Sequence, residues 1–274
     1  MPTTEVARYS AALKNSFAYN TTVQRWPTIL TQVVDGLFQQ CHALSAHGTA
    51  SHAKVEEAKS IIEQISQLKY ELTHNKALTP IGVTSKNAPR IGLFHAPTTE
   101  PYDDIIRHSD MTWFQSDWLF AECYLYRRVR HLFEISNEWK EHDPFISLKN
   151  DSFRASGRGV SACATWMDNV LSKSETHNTA SPDTKSTFQD MVYSSLWGNA
   201  TDLSLLLNVT DDELQKRQNA SEKERSNKVQ HIIVNDMNAL WNKVRGITEG
   251  RVDFVLDNAG FELVTDFMLA DFML

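Results

Sequence analysis

A mainly α fold is what this 274-residue sequence predicts, on three observations. Apolar residues recur at three- and four-residue steps through most of the chain, the spacing of a buried helix face. Prolines and glycines gather in a few connecting stretches and leave the periodic ones intact. Only one segment, 252–256, reads as a strand, and a further helical run follows it at once. The expectation is a helical domain over residues 1–245, then the start of an incomplete α/β element over 246–274.

The first periodic stretch, 27–41, sets Ile29, Val33, Leu37 and Cys41 four residues apart, with Pro27 suited to a first helical turn. Residues 51–72 repeat the pattern through Val55, Ala58, Ile61, Ile65, Leu68 and Leu72, with Glu56, Glu57, Lys59 and Glu63 on the wet face. Four prolines and two glycines in 78–104 predict a long loop, with one extended piece at 90–95. A third helix is expected over 110–139, its stripe formed by Phe114, Trp118, Ala121, Leu125, Val129 and Leu132. Glu122 falls beside that stripe, where a carboxylate needs a partner such as Arg127 or Arg128; a structural ion pair is favoured over catalysis.

Residues 161–171 and 186–207 also read as helical, the second interrupted at Gly198, where Asn199 and Asp202 offer capping oxygens. The charge-rich stretch 211–228 reads as a solvated face or connection. Over 229–244 the steps between Val229, Ile233, Met237, Leu240 and Val244 favour a helix, although His231–Val234 alone could be a strand.

Composition excludes several roles. A formal charge of −7 supplies no basic stripe for phosphate backbones, so nucleic acid is not an expected partner. No apolar run reaches the ~18 residues of a membrane span, and the N-terminus has no apolar core behind a positive start, so a cytoplasmic protein away from membranes is expected. Cys41, Cys123 and Cys163 are too scattered for a metal or redox motif and read as buried thiols.

Chemistry is expected where the strand 252–256 ends. Asp257 and Asn258 stand there, then Ala259, Gly260 and a helical run from Phe261. In open α/β sheets ligands bind outside the carboxyl ends of strands. A charged and a neutral hard oxygen together suit Mg²⁺ or Mn²⁺ better than a soft metal. Gly260 would let the backbone turn sharply, and a helix starting beyond it would favour an anion. Asp-Asn-x-Gly is also a common turn composition, so these residues alone leave both readings open. In the last helix Glu262, Thr265 and Asp266 share one face and apolar residues cover most of the rest, which predicts burial nearly all round.

The segment "RVDFVLDNAGFELVTDFMLADFML", with "RWPTILTQVVDGL", "WLFAECYLYRRV" and "LWGNATDLSLL", resembles the damage-control phosphatase family, in the branch also described as protein-glutamate methyltransferases. The resemblance runs from about residue 25 to the end and implies a helical domain followed by a Rossmann-like α/β domain with a divalent metal. It implies hydrolysis of small phosphorylated metabolites, including fructose 1-phosphate and fructose 6-phosphate, with Mn²⁺, Ni²⁺, Co²⁺ or Mg²⁺. Asp257 and Asn258 match the family's metal- and substrate-binding pair, with Asp257 catalytic, and Glu262 matches the acidic residue assigned to S-adenosylmethionine under the methyltransferase reading.

The family's second metal-binding Asp, in Gly-Asp-x-Asn-Tyr-Arg-Lys, and its Arg-Thr-x-Lys segment do not occur in these residues. The sequence therefore reads as cut before its site is complete, with impaired activity expected. The alternatives are a protein-glutamate O-methyltransferase and a non-catalytic fragment. As a non-catalytic fragment, the chain is expected to have residues 246–274 poorly anchored, or packed in an improvised way on the helical domain.

Overall fold

The computed structural model describes residues 8–48, 51–82, 99–174, 182–198, 229–256 and 258–274. They are mainly helical, and no helix among them is long and apolar enough to cross a membrane. The chain divides into two compact units, Met1–Leu148 and Lys149–Leu274.

In the first unit, α1 (Phe17–Asn20) runs through a π turn (Thr21–Arg25) directly into α2 (Trp26–Ala46). The expected start at Pro27 is thus a passage through it. Proline lacks an N–H and its ring strikes the carbonyl four residues back, and a wide π turn relieves such a conflict. The Trp26 N–H accordingly bonds the Thr21 carbonyl, five residues back. The second expected helix is α3 (His52–Thr73), opened by the Ser51 hydroxyl, which accepts from the Lys54 N–H at 3.1 Å.

Trp26, Leu30, Val33 and Leu37 of α2 meet Ala58, Ile61, Ile65, Leu68 and Leu72 of α3 in one core. Alternating three- and four-residue steps keep both stripes facing each other along the pair. The core's third side comes from α5 (Trp118–Glu134), through Ala121, Tyr124, Leu125, Val129 and Phe133. The helix expected over 110–139 is therefore shorter at both ends. Residues before it are tied by a single antiparallel bridge, Ala77 to Thr112. A short α4 (Glu100–Arg107) stands where only loop was expected, and the piece at 90–95 lies outside the described residues.

Glu122 does form a structural ion pair, but with Arg25 of the π turn, and it accepts from Trp26 Nε1 at 3.3 Å. Arg127 pairs instead with Glu134 at 2.8 Å and Arg128 approaches Glu71 at 3.7 Å. Five and six residues beyond Glu122, both arginines emerge on other sides of the helix, since only three- and four-residue neighbours share a face.

The second unit collects α7 (Gly157–Ser174), α8 (Pro182–Gly198), α9 (Met237–Val244) and α10 (Phe261–Phe272), after α6 (Ile146–Ala155) crosses the boundary. Its core is Met167, Phe188, Met191, Met237, Trp241, Met268 and Leu269, with Phe188 and Trp241 ring centroids 5.2 Å apart. Helix α10 packs on α8 and α7, so the boundary falls at 148/149 rather than at 245/246. Residues 261–272 are thus firmly anchored, and within their own unit.

Of the elements expected over 229–256 among the described residues, one is shortened and one is absent. The helix over 229–244 begins only at Met237, and Ile233 and Val234 lie exposed ahead of it. No strand forms at 252–256, where Val252, Val255 and Leu256 are exposed. A strand needs partner strands for its backbone groups, and none stands beside it among the described residues. The Rossmann-like reading of this end is therefore not carried by the fold. The cysteines form no disulfide; Cys41 and Cys163 are half-buried and Cys123 is exposed, so none is the fully buried thiol expected.

Candidate functional site

Helix α10 starts abruptly, and Gly260 is the reason. Its φ of +75° belongs to the region that favours glycine, and a Cβ there would run into the Ser152 hydroxyl of α6. The turn anticipated at this position is thus imposed by conformation and by close approach together. Beyond it Phe261, Glu262, Thr265, Met268 and Leu269 are buried. Burial nearly all round is not realised, since Phe267 is 56% exposed. More tellingly, the polar residues share the inward face.

A helix face with a carboxylate and a hydroxyl buries itself only against matching groups. Helix α8 supplies them. Ser195 Oγ donates to Asp266 at 2.5 Å, and Gly198 at the end of α8 is so close that a Cβ would stand 2.5 Å from Thr265 Oγ1 and 3.0 Å from Glu262 Cα. Thr265 Oγ1 is itself turned back to the Glu262 carbonyl at 2.8 Å. Thr265, Asp266, Ser195, Gly198 and Ser152 thus build the surroundings of the predicted residues. The sequence signal for Gly198 was present as a helix interruption, but its reason was close packing.

Of the predicted site residues, Asp257 lies outside the described residues, as do the proposed caps Asn199 and Asp202 and the charged stretch 211–228. Asn258 and Glu262 are brought together: Asn258 Nδ2 donates to Glu262 Oε2 at 2.8 Å. Glu262 is only 8% exposed, and its place in the first turn of α10 suits a negative charge beside the positive end of the helix. An ionised carboxylate only accepts, so Asn258 must present its amide nitrogen to Glu262. Its oxygen is the end that remains for another ligand.

That oxygen is a hard, neutral donor of the kind Mg²⁺ and Mn²⁺ accept, so Asn258 fits the expected metal in kind. Among the described residues, no group of three or more His, Cys, Asp or Glu side chains could hold a metal ion.

The damage-control phosphatase ARMT1-like domain matches residues 21–274, a span that includes α2, α5, α8 and α10 with Asn258 and Glu262. Damage-control phosphatase ARMT1 of Danio rerio is 31% identical over 97% of this chain and 58% of its own length. That of Xenopus tropicalis is 32% identical over 97% of this chain and 60% of its own length. The human protein of that name is 32% identical over 94% of this chain and 58% of its own. The chain thus spans about 58–60% of the length of these curated relatives. With 254 of its residues under one family model and the Asn258–Glu262 pair inside that match, the chain belongs to the damage-control phosphatase ARMT1-like domain family.

Proposed function

We propose that this chain contributes to a metal-dependent phosphatase acting on small phosphorylated metabolites, fructose 1-phosphate and fructose 6-phosphate among them. Asp257 and Asn258 would hold the metal, Mn²⁺ or Ni²⁺ foremost and Co²⁺ or Mg²⁺ as alternatives, and would meet the substrate phosphate. Membership of the family supports the reaction class. The observation that carries the site is Asn258, held by a buried carboxylate at the start of a helix, with its amide oxygen left for a ligand.

A bound divalent cation supplies Lewis-acid polarisation of a phosphoryl oxygen. The chain's own residues supply the rest of the setting. The first-turn N–H groups of α10 have no acceptor within their helix, and with the helix dipole they favour an anion nearby. Gly260 adds no side chain of its own to that turn, where the Ser152 hydroxyl comes close. Binding of the cation is read directly alongside hydrolysis.

The test is Mn²⁺ binding by calorimetry together with Mn²⁺-dependent phosphate release from fructose 1-phosphate, for the chain and for Asp257→Ala. Loss of both in the variant is expected. Equal Mn²⁺ affinity in the two proteins would sink the site assignment.

A further inference from the structure

We infer that Glu262 is a positioning residue for Asn258, setting which end of the amide faces the ligand, rather than a residue that meets a ligand itself. The inference rests on the metal-site reading given above for Asn258.

Three observations carry it. Glu262 as a residue is only 8% exposed, and its carboxylate already accepts from Asn258 Nδ2 at 2.8 Å. A primary amide has two ends of opposite character, and rotation about its last bond exchanges them. A carboxylate beside it removes that freedom, because it takes the N–H₂ end and leaves the oxygen. Hydrogen bonds that orient a metal ligand in this way are a general feature of metal sites.

Glu262 is in turn held more firmly than a chance neighbour would be. Its backbone lies close against the end of α8, with Glu262 Cα 3.0 Å from where a Cβ of Gly198 would be. Its carbonyl accepts from the Thr265 hydroxyl at 2.8 Å, and one residue further on Asp266 is fastened to Ser195 at 2.5 Å. The contacts between α8 and α10 thus fix the Glu262 backbone, and Glu262 fixes the amide. A residue buried in this way is poorly placed to receive a cofactor such as S-adenosylmethionine, which would have to displace Asn258 from the carboxylate.

The experiment compares the chain with Glu262→Met, Glu262→Gln and Asn258→Ala, using Mn²⁺ titration calorimetry, circular dichroism, and the NMR signals of the Asn258 side-chain amide without metal. Methionine keeps the length and helix preference of the side chain on a buried face but gives up the carboxylate. Glutamine keeps an oxygen that can accept but gains an N–H₂ that can donate to the Asn258 oxygen instead. Expected are a Mn²⁺ affinity about 10- to 100-fold lower in Glu262→Met with helix content retained, an intermediate loss in Glu262→Gln, and a shifted, faster-exchanging Asn258 amide most clearly in the methionine variant.

Wild-type affinity in Glu262→Met, with Asn258→Ala impaired, would overturn the positioning role and leave the metal site standing. So would an Asn258 amide indifferent to the methionine substitution. Equal affinity in the chain and in Asn258→Ala would overturn the metal-site reading, and the positioning role with it. If Glu262→Met loses its helix content, the glutamine variant decides: affinity and amide signals equal to the wild type's in a folded protein would refute an orienting role for the carboxylate.

Discussion

Replacing Gly198 with alanine sets two well-understood effects against each other. An alanine within a helix is worth roughly 0.5–1 kcal/mol over glycine. At Gly198, however, the new methyl would stand 2.5 Å from Thr265 Oγ1 and 3.0 Å from Glu262 Cα. The first contact falls about 0.9 Å short of ordinary contact distance, and the second is with backbone, which cannot rotate away. Rotating Thr265 breaks its bond to the Glu262 carbonyl and brings another part of the side chain toward the same place. Helix α10 must therefore move off α8, an overpacking cost of about 1–3 kcal/mol.

The net expectation is destabilisation by about 1–2 kcal/mol, or a urea midpoint lower by roughly half to one molar at the usual denaturant slopes. Urea unfolding, with hydrogen exchange read at α8 and α10 amides, measures it. Gly157→Ala at the start of α7 is the control. Nothing lies within 4 Å of its new methyl, so it should be neutral or stabilising by up to about 1 kcal/mol. If Gly198→Ala behaves like that control, the α8–α10 contact is looser than described and the support assigned to Glu262 loses its basis.

Two further predictions concern the first unit. Arg25→Met leaves the Glu122 carboxylate, whose side chain is 14% exposed, with only the Trp26 N–H among its described partners, and should destabilise the protein by about 3–5 kcal/mol; Arg25→Met/Glu122→Leu should recover most of that loss in thermal melts. A double variant no more stable than the single one would refute this. His131 and His142 both titrate below the ordinary histidine range. Burial is the main cause for each, followed by the Arg127 guanidinium for His131; for His142 the attraction of Asp143 opposes the shift. The unfolded chain therefore binds more protons as pH drops below about 6.5, and stability should fall by up to about 1.4 kcal/mol per pH unit for each histidine until the folded form is protonated too. Thermal midpoints from pH 7.5 to 5 should show this decline, and His131→Leu should flatten it; an unchanged slope would count against His131.

What the sequence reveals depends on whether a feature is local. The stripes of α2 and α3 are legible because three- and four-residue steps are written along the chain itself. Glu122 announced its need for a partner, but Arg25 lies 97 residues away and no local pattern could name it. The start of α9 had a usable local sign, since Asn235 Oδ1 accepts from the Met237 N–H at 3.2 Å and Asn-Asp just ahead of a helix is typical cap composition. The apolar step through Ile233 outweighed it. The segment 252–256 is apolar in the manner of a buried strand, but a strand is completed by neighbours and not by its own residues.

At the candidate site, Asn258, Gly260 and Glu262 were legible as types in order. That the polar face of α10 turns inward was not, because the matching groups, Ser195 and Gly198, are on α8. A face reads as wet until the opposing surface is known. Asp257 lies outside the described residues, so its part in the site is an expectation from the sequence alone.

The methionines of the second unit have a consequence for how the protein ages. Met167, Met191, Met237 and Met268 make up four of the seven residues in that core, whereas none of the buried residues in the first unit's core is a methionine. A thioether fills irregular space well, but oxidation turns it into a polar sulfoxide that a dry interior cannot solvate. Oxidative damage therefore has an address in this chain. It loosens the helices that hold Asn258 and Glu262, whereas the α2–α3–α5 core has no buried methionine among the described residues and, of sulfur side chains, only the partly buried Met111 and Cys41 packed against it.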